Sequence, residues 1–154
     1  MGLTSFGVLF LFCSCLALET IVPLAGDGWT FKSGNDSTKT GPAIVPGDIY
    51  TDLWKAGLIE DPIKNNHDID YQWVGRSDWI YTKTVDLSNY SSLAPKSVWL
   101  RFDGLDTVAS VSINGNFLFQ SVNQFVDYNF NVKDRLVAGK NKIEVKFQSA
   151  VTSI

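Results

Sequence analysis

Residues 102–116 read FDGLDTVASVSINGN, and the fold turns on them. Ala109, Val111 and Ile113 recur at every second position with Ser110 and Ser112 between them, the period of a strand with one buried face. Asn114-Gly115 follows at once. Both residue types enter positive φ at low cost, and a tight type I′ turn needs two such positions in succession. The stretch is therefore expected to open a β-hairpin.

The same alternation extends on both sides. Trp79, Tyr81 and Val85 alternate with Ile80, Thr82 and Thr84, and Val98, Leu100 and Phe102 form another apolar face. Val126, Tyr128, Phe130 and Val132 line a further strand, and AGKN at 138–141 turns the chain into Ile143, Val145 and Phe147. Nearer the amino terminus Trp29 and Phe31 alternate, followed by the polar loop SGNDSTKTGP at 33–42. Short strands divided by turn signals predict an all-β fold, an antiparallel β-sandwich of jelly-roll type. One short helix is expected after Asp48, a residue suited to capping it, with Ile49, Leu53 and Ala56 on one face. Gly57 falls where a left-handed cap residue ends a helix, and Leu58 where it packs back on the last turn.

The opening MGLTSFGVLFLFCSCLALET contains an apolar run from Val8 to Leu18, too short to span a bilayer. Small residues surround Ala17, so residues 1–17 are read as a cleaved secretory signal and 18–154 as the domain; a buried N-terminal strand is the alternative. Cys13 and Cys15 fall in that signal, which leaves a secreted domain held by its core without disulfides. The absence of other cysteines excludes thiol catalysis, zinc ribbons and haem attachment. Asn35-Asp36-Ser37 and Asn89-Tyr90-Ser91 are N-glycosylation sequons, each in a polar stretch. A net charge of −3 with scattered Lys and Arg excludes nucleic acid as a partner, and no membrane association is expected after signal cleavage.

The chemistry within this stretch is sparse. His67 is the only histidine and no Gly-x-Ser-x-Gly elbow occurs, so a nucleophilic triad is not expected. Asn66, His67, Asp68 and Asp70 are grouped in NNHDID, but without the spacing or glycine of a calcium loop, and neither a metal nor a cofactor is expected. A glycosidase needs two carboxyl groups held at a defined separation. Among 16 acidic residues no such pair stands out; Asp27, Asp48, Asp61, Asp103 and Asp134 sit in turn-like or capping sequence. The remaining signal is aromatic: Trp54, Trp73, Trp79 and Trp99 with Tyr71 and Tyr81 offer flat faces on which sugar rings stack, or a sandwich core.

VPGDIYTDLWKAGLIEDP, YQWVGRSDWIYTKTV, LRFDGLDTVASVSINGN and IEVKFQSA, in this order, closely resemble the sugar-binding-like N-terminal jelly roll of the β-mannosidases of glycoside hydrolase family 2. The resemblance spans nearly all of residues 18–154. It implies a galactose-binding-like sandwich in which the GLDT turn and the Asn-Gly hairpin are scaffold. It also implies a lysosomal enzyme that removes terminal β-linked mannose by a retaining mechanism with two glutamates, carried on a downstream (β/α)₈ barrel on which this domain packs. Neither glutamate, nor the Trp-Asp motif that contributes to mannose binding, can be matched here. Glu19, Glu60 and Glu144 fall in the post-signal segment, a helix–loop junction and a strand. No catalytic residue carries over, and the stretch is expected to be an inactive N-terminal fragment whose oligosaccharide substrate is bound elsewhere. In the family the loop after Asp61-Pro62 approaches the active-site mouth. Here it reads DPIKNNHD, with Ile63-Lys64 in place of aromatic character, so Asn66, His67 and Trp73 are the only, weak, substrate-binding candidates. A free-standing lectin-like module, stacking sugar on Trp73 or Trp79, is the alternative. The last strand, with Val145 and Phe147, is expected to need cover from segments beyond those seen here.

Overall fold

The computed structural model describes residues 21–88, 97–149 and 151–152. The expected signal at 1–17 with its two cysteines, Glu19 and the Asn89 sequon lie outside the described residues.

In chain order the elements are β1 (Gly26–Ser33), β2 (Thr40–Val45), α1 (Ile49–Lys55), α2 (His67–Asp70), α3 (Gln72–Gly75), β3 (Trp79–Asp86), β4 (Trp99–Phe102), β5 (Ala109–Ile113), β6 (Asn116–Ser121), β7 (Tyr128–Asn131) and β8 (Lys140–Phe147). A 3-10 turn, Lys133–Arg135, precedes β8. A six-stranded antiparallel sheet runs β2-β1-β3-β8-β5-β6, and β4 pairs with β7 in a second, two-stranded sheet. The antiparallel sandwich expected from the alternation is the one found.

The 109–116 stretch folds as read. Asn114 and Gly115 take φ of 52° and 80°, and Ala109, Val111 and Ile113 are fully buried. Val111 pairs with Phe119 and Ser112 with Phe117, so Leu118 is the extra residue of a β-bulge. Helix α1 also keeps its expected caps. Asp48 accepts hydrogen bonds from the Thr51 N–H (3.0 Å) and the Thr51 hydroxyl (2.7 Å). Gly57, at φ 70°, lets the Leu58 N–H reach the Leu53 carbonyl at 2.9 Å.

Two features differ from the sequence reading. The single helix expected after Asp48 is joined by two further one-turn helices, α2 and α3. A single turn carries no apolar period, so these helices are fixed by the tertiary bonds of their side chains rather than by pattern. The second concerns β8, which is central rather than peripheral: it lies between β3 and β5, and Val145 is buried. The expectation that Val145 and Phe147 lack cover is therefore overturned. Phe147 meets Tyr81 edge to face at 5.8 Å.

Different elements cover the two ends of the large sheet's inner face. Over β1 and β3 lie the helices, with Leu53 and Val74 buried and the Trp79 indole N–H donating to the Val74 carbonyl at 2.9 Å. Over β6 lies the small sheet, with Phe119 stacked on Phe130 (4.3 Å) and Tyr128 (5.0 Å). Between the large and small sheets runs an apolar crevice of about 100 Å³, lined by Leu24, Val85, Trp99, Leu100, Ile113 and Val132 among others.

Leu53→Ala is expected to cost about 2–5 kcal/mol by leaving a cavity under β1 and β3. Trp54, its half-exposed neighbour, should tolerate alanine within about 1 kcal/mol. Equilibrium urea unfolding of both variants checks the pair, and equal losses would place Leu53 outside the core.

Candidate functional site

The residues singled out in the sequence converge on the segment from Glu60 to Arg76. Its inner layer is a set of anchors. His67 is buried, with Nδ1 at 2.6 Å from the Asp61 carbonyl; a carbonyl only accepts, so Nδ1 carries the proton. Nε2 then lies 3.6 Å from the exposed Glu60 carboxylate. The imidazole also packs on Tyr71 at 4.9 Å, and the Tyr71 hydroxyl accepts the Glu60 N–H at 3.0 Å. His67 and Tyr71 thus close residues 60–71 into a small loop. Trp73 is half-buried against Trp79 (6.2 Å), with the Lys39 ammonium 5.6 Å from its ring centre.

Outside this layer the segment presents Asn65 at φ 55°, Asn66, and the apolar Ile63 and Ile69, exposed by 92% and 63%. Asn66 makes no capping bond to α2. Of the three sequence candidates, Asn66 projects into solvent, while His67 and Trp73 are engaged within the fold. Asp70 is exposed, and the Asp68 side chain lies outside the described set. Among the described residues no group of three His, Cys, Asp or Glu side chains could hold a metal ion.

The indole set separates cleanly. Trp29 and Trp79 are core, each 4% exposed, and Tyr81 is buried with them. Trp79 as a stacking platform is therefore corrected: the alternation that suggested a strand also turned its ring inward. Trp54 and Trp99 are the exposed indoles, at 47% and 64%.

One polar group escaped the sequence reading. Asp52 is 2% exposed, accepting a hydrogen bond from the Tyr81 hydroxyl at 3.0 Å and facing the Ile44 N–H at 3.4 Å. Burial pushes its carboxyl above the ordinary value of 3.8, against the pull of these two donors. Burial and the neighbouring carboxylate likewise hold the Tyr81 hydroxyl well above its usual range, so it acts as a neutral donor. The signal was present in the spacing: Asp52 lies at i+3 from Ile49 and i−4 from Ala56, on the apolar stripe of α1. This carboxylate is enclosed, and the two glutamates among the described residues are taken up locally, Glu60 near His67 and Glu144 with Lys142 at 2.6 Å.

Residues 29–154 match the family model described as glycosyl hydrolase 2 galactose-binding domain-like. The chain is 36% identical over 146 residues to a probable beta-mannosidase of Caenorhabditis elegans, covering 95% of this chain and 16% of that protein. It is 34% identical over 137 residues to the beta-mannosidase of Rattus norvegicus, covering 89% and 15%. The crystal structure of a beta-D-mannosidase from Dictyoglomus thermophilum superposes with a TM-score of 0.79 at 38% identity, covering 86% of this chain and 16% of that one. A beta-D-glucuronidase from the same organism, at 19% identity and TM-score 0.58, shares the fold. The chain thus spans about a sixth of the length of the relatives it matches.

The raised Asp52 pKa sets the sign of a pH effect. The folded chain binds this proton more readily than the unfolded chain, so its contribution is full below 3.8 and lost as pH rises through the folded value. Asp52→Asn does not titrate. The stability difference between parent and variant should therefore shift toward the parent as pH falls from neutrality, in urea melts at a series of pH values. Parallel profiles would show that Asp52 titrates as it does in the unfolded chain.

Proposed function

Because the chain belongs to the glycosyl hydrolase 2 galactose-binding domain-like family, we propose that it is the non-catalytic N-terminal domain of a lysosomal β-mannosidase. The longer protein would hydrolyse terminal β-linked mannose from the non-reducing ends of glycoprotein oligosaccharides. The observation that carries this reading is the match of 95% and 86% of this chain to 16% of two beta-mannosidases, 36% and 38% identical, the second with a superposable backbone. A retaining glycosidase works through two carboxyl groups, and the resemblance puts both on a downstream barrel, with neither matched by a residue of this chain. Catalysis is therefore assigned to the barrel, and this domain to packing against it.

The 60–76 segment is the part of the surface we assign to the substrate side of that assembly. His67 and Tyr71 tie it down, so Asn66 is presented on a preorganised loop rather than a mobile one. Trp73 supports it from below. Residues 1–17 serve as the secretory signal, and Asn35 carries an N-glycan. Asn35 is exposed in the β1–β2 turn, where the buried Ser33 hydroxyl accepts its backbone N–H at 3.1 Å and leaves the side chain outward. Asn89 is the second acceptor.

Purified free of host glycosidases, the chain is expected to leave a chromogenic β-mannoside unhydrolysed, and co-expression with a downstream barrel to restore turnover. Turnover by the chain alone would overturn the assignment of catalysis. Expressed in secretory cells, the product should begin near Leu18 and lose mass on N-glycanase treatment. That loss should be reduced by Asn35→Gln and abolished when Asn89→Gln is added. Retention of Met1 on a glycan-free product would overturn the secretory reading.

A further inference from the structure

The outward face of the small sheet groups an exposed indole with amide, guanidinium and carboxylate side chains. The β4–β7 register places Trp99 opposite Asn131 and Arg101 opposite Asn129. Leu100 is buried and Phe102 and Phe130 pack inward, so by alternation these four residues share the opposite, solvent face, where all four are exposed. Trp99 is the most exposed indole among the described residues, at 64%.

The polar groups beside it are held in place. The Arg101 guanidinium donates from Nε to Asp103 Oδ1 at 2.7 Å and from Nη2 to Asp127 Oδ2 at 2.9 Å. Two carboxylates thereby fix the guanidinium, while Nη1 and the outer carboxylate oxygens stay available to a ligand. Asn131 accepts the Lys133 N–H at 3.2 Å through Oδ1, which orients its amide nitrogen as a donor. We propose that this face, Trp99 with Arg101, Asn129, Asn131, Asp103 and Asp127, is a binding site for a neutral oligosaccharide.

The chemistry selects the ligand class. A sugar ring has an apolar C–H face that stacks on indole and a rim of hydroxyls that both donate and accept. The face offers one flat ring bordered by amide and guanidinium donors and carboxylate acceptors, on strands whose residues i and i+2 lie about 6.6 Å apart. That spread matches one or two pyranose rings. Carboxylates outnumber the single guanidinium in the cluster, which disfavours uronic or sulfated sugars. The proposal does not rest on the hydrolase reading: it holds for a domain of an enzyme or for a free module.

The test uses the full chain, with β-1,4-linked mannohexaose and hexagalacturonate as neutral and acidic probes. Titration of the ¹⁵N-labelled chain with mannohexaose should move the Trp99 indole N–H resonance and leave that of Trp54 in place. Trp99→Ala should weaken binding about tenfold or more, with an unchanged melting midpoint because the ring lies outside the core. Asn129→Ala, which removes no hydrogen bond within the described domain, should weaken it severalfold. Hexagalacturonate should bind more weakly than mannohexaose. Absence of mannohexaose binding, binding that survives Trp99→Ala, or equal affinity for the acidic probe would overturn the proposal. So would self-association through this face, seen as a dimer that Trp99→Ala disperses and sugar does not.

Discussion

The pairing of β8 is the constraint on which the rest of the molecule depends. The strand nearest the carboxyl end is inserted in the middle of the large sheet, with eight residue pairs to β3 on one side and five to β5 on the other. Without it the sheet falls into two halves, the three strands β2-β1-β3 and the β5-β6 hairpin, which share no other ladder. A two-stranded hairpin is marginal on its own, so the second half in particular is held by β8. The cost of this topology is kinetic. Long-range pairings form only after large loops have closed, so most of the chain must be present before the sheet can assemble.

The turn that opens the sequence reading has a second role here. Asn114 supplies positive φ to the hairpin, and its side chain also fastens the start of β8. Its amide oxygen accepts the Lys142 N–H at 2.9 Å, and its amide nitrogen donates to Asn141 Oδ1 at the same distance. Asn141, almost completely buried, accepts the Val137 N–H and donates to the Val137 and Gly139 carbonyls. Two asparagines thus satisfy the backbone of the loop into β8 and fix its register against β5. A buried amide of this kind is stabilising only while every partner is present. An aspartate at either position would lose the donor half of the network.

Local features of this fold were legible, and features created by packing were not. Period-two alternation gave β3, β4, β5 and β8, and capping chemistry gave α1 to within a residue, because each is encoded by neighbours in sequence. The position of β8 was not legible, since alternation reveals a buried face but never a strand's neighbours within the sheet. Helices α2 and α3 were missed for a related reason. They follow from His67 reaching Asp61 and Tyr71 reaching Glu60, bonds with no signature in residue type. Among the candidate residues, alternation could have separated the indoles: Trp79 shares its parity with Tyr81 on the inner face, whereas Trp99 is out of phase with Val98 and Leu100 and is the exposed one.

Asp52 shows how a scaffold tolerates a polar group inside its core. The apolar stripe of α1 is interrupted at the position facing β2 and β3, where Ile44 and Tyr81 each bring a donor. An aliphatic residue there would leave the Tyr81 hydroxyl buried without an acceptor, at about 1–3 kcal/mol. The aspartate satisfies both donors but carries the desolvation of its own charge, which is why burial dominates its pKa. Protonation relieves that desolvation but turns one oxygen into a donor, leaving the carbonyl oxygen as the good acceptor for the N–H and O–H partners. The same helix also meets the 60–76 segment, where the Tyr50 hydroxyl donates to the Tyr71 carbonyl at 3.5 Å, so the polar group that ties α1 to the sheet lies within one turn of the contact that carries that segment.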